Sequence, residues 1–221
     1  MIICHSRRFI LFANPKTGSE TMRALLAPYG EETVVPYRER TREHPFYPHM
    51  SPIEAEWTFD ALGLAFRSYR RVTCVRDPYT RLVSLYRMIA DVDGLWRLRR
   101  KMGLGQPNFE TWLRGTRPYG RGGGGRAHQR WRRYGTWSAQ HWCGDQITDI
   151  LRLETLATDL PPLLNTLDIK VPSSTIPQHN ARDPVDVAQW YSHKSNALVA
   201  RRYDWDLARF GYTAPCLQDA A

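Results

Sequence analysis

The chain starts with a mixed stretch and then an unbroken apolar run, Phe9-Ile10-Leu11-Phe12-Ala13, closed by Asn14-Pro15 and a glycine-containing turn. A short apolar run without alternation suits a strand covered on both faces, as in a parallel sheet. From about Ser19 to Ala27, Met22, Leu25 and Leu26 recur at helical spacing. Thr33 to Pro36 reads as a second short strand. Ser51-Pro52-Ile53-Glu54 is a helix start, with a hydroxyl cap, proline at the first position and an acid at the third. That helix should run to about Leu62. A β-branched run, Arg71 to Val75, is followed by Arg76 and then by Asp77-Pro78, a second helix start. Leu82, Leu85, Tyr86 and Ile89 make one apolar stripe on that helix, with Arg81 and Ser84 off it.

Residues 103 to 135 break the regularity. They hold Gly103, Gly105, Pro107, Pro118 and the run Gly122 to Gly125, with a short helix expected around Phe109 to Leu113. Four consecutive glycines predict a mobile segment. The pattern resumes with a strand at Ile147 to Leu153. Helices follow at about Glu154 to Leu167 (with Pro161-Pro162 a break or kink), Val185 to Tyr191 and Ser195 to Phe210. Strands alternating with helices predict an α/β domain with a mostly parallel sheet. A length of 221 residues suits one domain over 1–221.

Composition narrows this little. Apolar residues are 42% and charged residues 24%, the balance of a soluble globular chain. No 18-residue apolar run exists, so no membrane-spanning helix is expected. The first apolar run is too short for a signal-peptide core, which points to a cytoplasmic protein. Cys4, Cys74, Cys143 and Cys216 form no C-x-x-C pair and read as free thiols.

Charge changes the picture more. Between Arg97 and Arg133 there are eleven basic residues and one acid, Glu110, so this segment alone outweighs the net +9 of the chain. The rest is close to neutral. A basic Gly/Arg-rich insert at about 97–135 invites an anionic partner: nucleic acid, an anionic membrane surface or an anionic substrate. Trp112, Tyr119, Trp131 and Tyr134 lie among its arginines and could stack on single-stranded bases.

The candidate chemistry sits at the two strand-to-helix turns. In the first, Pro15-Lys16-Thr17-Gly18-Ser19-Glu20-Thr21, a helix start would aim backbone N–H groups and a positive dipole end at one spot. Gly18 permits close approach, Ser19 and Thr21 carry hydroxyls, and Lys16 adds a charge. The lysine precedes the glycine, so this is not a Walker A motif. In the second turn Arg76 sits at the strand end and Ser84 lies eight residues on, a fork and a hydroxyl suited to a second phosphate.

These two blocks, Pro15 to Thr21 and Arg76 to Tyr86, resemble the phosphate-binding motifs of PAPS-dependent sulfotransferases, in particular the carbohydrate-type, family 2-like branch. Ile150 to Leu156 with Asp159, Ile176 to Asn180, and Arg202 to Tyr212 resemble later segments of the same branch, in order. One departure is Glu20, where many members carry Ser or Thr. The resemblance implies a P-loop-NTPase-like three-layer fold, with a central mostly parallel sheet flanked by helices. It implies 3′-phosphoadenosine-5′-phosphosulfate (PAPS) as co-substrate, with no metal expected. Lys16, Thr17, Gly18, Ser19, Glu20 and Thr21 would hold the 5′-phosphosulfate, and Arg76 and Ser84 the 3′-phosphate. Arg182 would add a late contact. Lys16 would also neutralise charge on the leaving phosphate, which suits an in-line sulfuryl transfer.

The acceptor hydroxyl must lose a proton, and a neutral histidine fits that task near pH 7. By the resemblance His49, just before the Ser51 helix start, is the base, with His44 the fallback. A P-loop-type nucleotide or small-molecule kinase and a basic nucleic-acid-binding protein are the alternatives. Nucleic acid is the less expected partner. The acceptor is open between a glycan, a lipid headgroup, a peptide and a small metabolite. The basic insert would meet an anionic acceptor or make peripheral membrane contact.

Overall fold

The structure, a computed structural model, describes residues 1–119, 135–170 and 186–217. The chain falls into two compact units, Met1–Arg76 with Ala139–Arg182 and Asp77–Ser138 with Asp183–Ala221, of which only the described residues are discussed.

The first unit is α/β, built on a four-stranded mixed sheet in the order β1-β2-β3-β4. Its strands are β1 (Ile2–Cys4), β2 (Phe9–Phe12), β3 (Arg70–Val75) and β4 (Asp149–Arg152). β2, β3 and β4 run parallel, and β1 pairs antiparallel with β2 through Ile3↔Ile10. The all-apolar β2 is central and wholly buried, as its lack of alternation predicts. Residues Thr33 to Pro36 form no strand, so the expected second strand is replaced by β1, the chain's own start. The Arg70 guanidinium donates to both oxygens of Asp149 at 2.8 Å, which pins the β3–β4 register.

Helices cover both faces of this sheet. On one face α1 (Ser19–Leu26) and α6 (Leu156–Thr166) bring Met22, Leu26, Leu160 and Leu163 onto Phe9, Leu11, Val72 and Leu151. On the other, Phe12 meets Phe66, and Phe66 meets Phe59 of α2 (Pro52–Ala61) in edge-on contacts. α2 begins with the expected capping box: Ser51 accepts from the Glu54 N–H, and Glu54 accepts from the Ser51 N–H. α6 continues unbroken through Pro161 and Pro162, so of the break or kink expected there the break does not occur. The prolines remove two ladder hydrogen bonds, but Leu156, Leu160, Leu163 and Leu164 are buried against the sheet and hold the helix.

The second unit is helical. α3 (Pro78–Val92) follows β3, then come α4 (Gly94–Lys101), α5 (Phe109–Arg114), α7 (His193–Arg202) and α8 (Asp204–Phe210). The expected single helix from Ser195 to Phe210 is two, parted at Tyr203, whose buried hydroxyl donates to the Thr136 carbonyl at 2.5 Å. The helix expected at Val185 to Tyr191 is one 3-10 turn, Ala188–Trp190, as far as the described residues show. The core is aromatic: Tyr86 packs against Trp96, Phe109, Trp112 and Trp190, with centroids 5.5–5.7 Å apart.

Arg81 overturns a simple amphipathic reading of α3. It lies off the apolar stripe yet is fully buried, 3.8 Å from the Asp206 carboxylate and 5.6 Å over the Tyr203 ring. Asp206 also accepts from the Ser138 hydroxyl. The basic stretch at 97–135 begins inside α4, which was not expected; α5 is the short helix expected around Phe109 to Leu113, and Trp112 belongs to the core. Thr136 Oγ1 donates to the Arg117 carbonyl at 2.8 Å and the Ser138 N–H to the Pro118 carbonyl at 2.7 Å. Gly122 to Gly125, with the mobility expected there, lie outside the described residues, as do Trp131 and Tyr134.

Candidate active site

The site begins where β2 ends. Asn14 is buried, and its Nδ2 donates to the Cys74 carbonyl at 3.1 Å, which ties the loop to β3. Thr17 Oγ1 donates to the Asn14 carbonyl at 2.9 Å and closes the turn from inside. Lys16 (φ 65°) and Gly18 (φ 83°) are both left-handed. For a lysine that costs roughly 1 kcal/mol, so the surrounding bonds must hold it. Such a turn aims successive N–H groups into one concavity, a ready anion cradle.

α1 then starts without a side-chain cap: Gly18 has none to offer, and the first helical bond runs from the Met22 N–H to the Gly18 carbonyl. The N–H groups of Ser19, Glu20 and Thr21 therefore have no helical acceptor and lie at the positive end of the dipole. α3 is different. The Asp77 carboxylate accepts from the N–H groups of Tyr79 (3.0 Å) and Thr80 (3.4 Å), so that helix start already carries its own anion. Of the two helix starts, the first has no side-chain cap and the second is capped by its own carboxylate. The second contributes Arg76, whose Nη1 donates to the Lys16 carbonyl at 3.4 Å. The guanidinium thus stands on the first loop.

His49 meets the same loop. Its Nδ1 lies 2.6 Å from the Ala13 carbonyl. A carbonyl only accepts, so Nδ1 carries the proton and Nε2 keeps its lone pair. Burial pulls the His49 pKa down to about 4; the Ala13 bond opposes this, and nearby positive charge including Arg23 adds to the fall. The imidazole is neutral at pH 7, with its lone pair on Nε2. His44, the fallback, is exposed, with its backbone N–H on Thr41 Oγ1 at 3.0 Å.

The structure thus brings Lys16 to Thr21, Arg76 and His49 onto one loop of one unit. Thr17, Ser19 and Thr21 are buried. Glu20 turns its carboxylate to Arg23, so only its N–H faces the cradle side. Ser84 lies half-buried on α3. Arg182 and Asn180 lie outside the described residues. A shallow cleft of about 550 Å³ opens alongside, reaching Glu20, Arg23 and Pro48, the last being the neighbour of His49. Asn14 and Leu153 are site residues that motif reading misses. The Asn14-Pro15 strand ending was the one available signal for the first; the second lies in the Ile150 to Leu156 segment, but nothing local places it against Gly18.

Leu153 explains Gly18. A Cβ there would come 2.6 Å from Leu153 Cδ1, at a backbone conformation L-residues avoid. Gly18→Ala should lower unfolding free energy by about 1–3 kcal/mol and weaken anion binding together. A denaturant melt and a titration of the same protein check both; an unaltered melt would mean the loop relaxes freely.

The α/β unit thus sets an uncapped helix start, a strand-end arginine and a neutral histidine around one loop. The chain belongs to the sulfotransferase family, which it matches over residues 1–213. It is therefore a sulfotransferase. Comparison with curated proteins and with solved structures gives no match. Among the described residues no helix is long and apolar enough to cross a membrane.

Proposed function

We propose that this sulfotransferase takes PAPS as donor and transfers its sulfuryl group to an acceptor hydroxyl, with His49 as general base. The observation that carries the reading is the Ala13–Gly18 loop. On it meet an uncapped helix start, the Arg76 guanidinium and a histidine held as the Nδ1–H tautomer. A cradle of N–H groups with a glycine packed on Leu153 fits a phosphosulfate better than any neutral group. PAPS supplies the sulfuryl group and a phosphate leaving group. The loop N–H groups and Lys16 orient the 5′ end and offset the charge that grows on the leaving oxygen. Arg76, with Ser84, holds the 3′-phosphate, and Arg182 belongs to the same proposal. His49 Nε2 accepts the proton of the acceptor hydroxyl, its ring fixed by Ala13. In this reading the β2–α1 connection is a P-loop-like turn. The acceptor is a glycan or another hydroxylated, anionic compound, entering by the Glu20–Arg23–Pro48 cleft.

Calorimetric titration with 3′,5′-ADP, beside ATP with magnesium, tests the donor. Binding of 3′,5′-ADP at micromolar level, with ATP at least about tenfold weaker, is expected, since a site built for two phosphates loses charge-assisted bonds when one is missing. Binding of ATP alone would replace the donor.

A further inference from the structure

Nine large apolar side chains stand exposed among the described residues, and five of them fall between Val92 and Leu104. α4 explains why. Its inner face is Trp96, packed on Tyr86 at 5.7 Å. Leu95, Leu98 and Met102 follow at i, i+3 and i+7, so they form one outward stripe. They are 64%, 53% and 63% exposed.

The helix end extends the stripe. Gly103 (φ 71°) turns left-handed, the Leu104 N–H reaches the Arg99 carbonyl at 2.9 Å and the Gly103 N–H the Arg100 carbonyl at 3.1 Å. This is a Schellman ending, in which the residue after the glycine normally folds back onto the helix. Here that residue, Leu104, points out and is 58% exposed. Arg99 binds the carbonyls of Leu104 (3.5 Å) and Gly105 (3.2 Å), so the polar backbone of the hook is satisfied from within. By helical spacing Lys101 and then Arg97 lie along one side of the stripe and Arg99 along the other, and no acid occurs from Gly94 to Asn108.

We propose that α4 and its Leu104 hook are a docking surface for a bilayer carrying anionic phospholipid. An apolar stripe edged by cations is the pattern of a helix lying in the headgroup region. The length argues against a protein partner: eight residues span about 12 Å, too little for the ~800 Å² per side of a standard interface. The charge selects an anionic leaflet, where each basic residue near the surface strengthens binding about fivefold. Such a surface binds weakly and reversibly, and it brings the enzyme to the membrane face without inserting it. The proposal does not depend on the donor or on the base.

Co-sedimentation of the full chain with phosphatidylcholine vesicles, plain or with about one-third phosphatidylserine, tests it. Binding only to the anionic vesicles is expected, weakening as salt is raised. Leu95→Glu/Leu98→Glu and, separately, Arg97→Glu/Lys101→Glu should each lower that binding about tenfold or more, with unchanged melting temperature, since these side chains are exposed. The proposal is overturned by any of three results. The first is no binding to anionic vesicles. The second is binding that survives both variants, or that is lost only on neutralising Arg126, Arg130, Arg132 and Arg133. The third is a solution dimer that the leucine variant dissociates, which would give the stripe to a second copy of the chain.

Discussion

Replacing His49 by alanine should lower kcat by about 10²–10⁴-fold and leave 3′,5′-ADP affinity within about twofold. The loss is in proton transfer, because the ring touches the loop through the Ala13 carbonyl and not through the N–H groups of Ser19, Glu20 and Thr21. Steady-state turnover beside calorimetry separates the two quantities. If turnover persists, His49 is a structural bond to Ala13 and the base lies elsewhere, with His44 next to test. The pH behaviour adds a second readout. The His49 pKa is lowered to about 4, against 6.5 for an unfolded chain. Between those values the unfolded chain binds the proton and the folded one does not. Stability from this group is therefore complete above pH 6.5 and is lost as pH falls towards 4, by about 2–3 kcal/mol. Unfolding curves of wild type and His49→Asn across pH 4 to 7 should converge at the acid end. Parallel curves would mean that His49 titrates alike in both states.

The second large effect separates the two cations. Lys16→Ala should lower kcat by about 10²–10³-fold, because a preorganised donor at the leaving oxygen acts mainly in the transition state. Arg76→Ala should instead weaken 3′,5′-ADP by about 10–100-fold, the worth of a charge-assisted phosphate contact. Arg76→Lys should recover little of it, since an ammonium lacks the guanidinium fork. A reversed pattern, with Lys16 governing affinity and Arg76 governing kcat, would exchange their proposed roles.

The turns were legible because each is a local event. Apolar β2 stops at Asn14-Pro15, Ser51-Pro52 caps α2, and Asp77-Pro78 caps α3, all within four residues of chain. The same local rules failed wherever packing outweighed them. Pro161 and Pro162 sit inside α6 because its leucines are clamped on the sheet. Arg81 is buried because Asp206, far away in sequence, meets it. Thr33 to Pro36 read as a strand by composition, but the sheet position beside β2 was taken by Ile2–Cys4.

By itself, then, the sequence determined the α/β alternation, the Lys16–Thr21 and Arg76 blocks and hence the sulfotransferase family, since each rests on neighbours in the chain. It could not say which helix start was left open, that Arg76 leans on Lys16, or that His49 is neutral with its proton on Nδ1. Those follow from a carboxylate on Asp77, a carbonyl on Ala13 and the burial around them. Long-range contacts set such properties, because hydrogen-bond partners and desolvation depend on which distant residues the fold brings within a few ångströms.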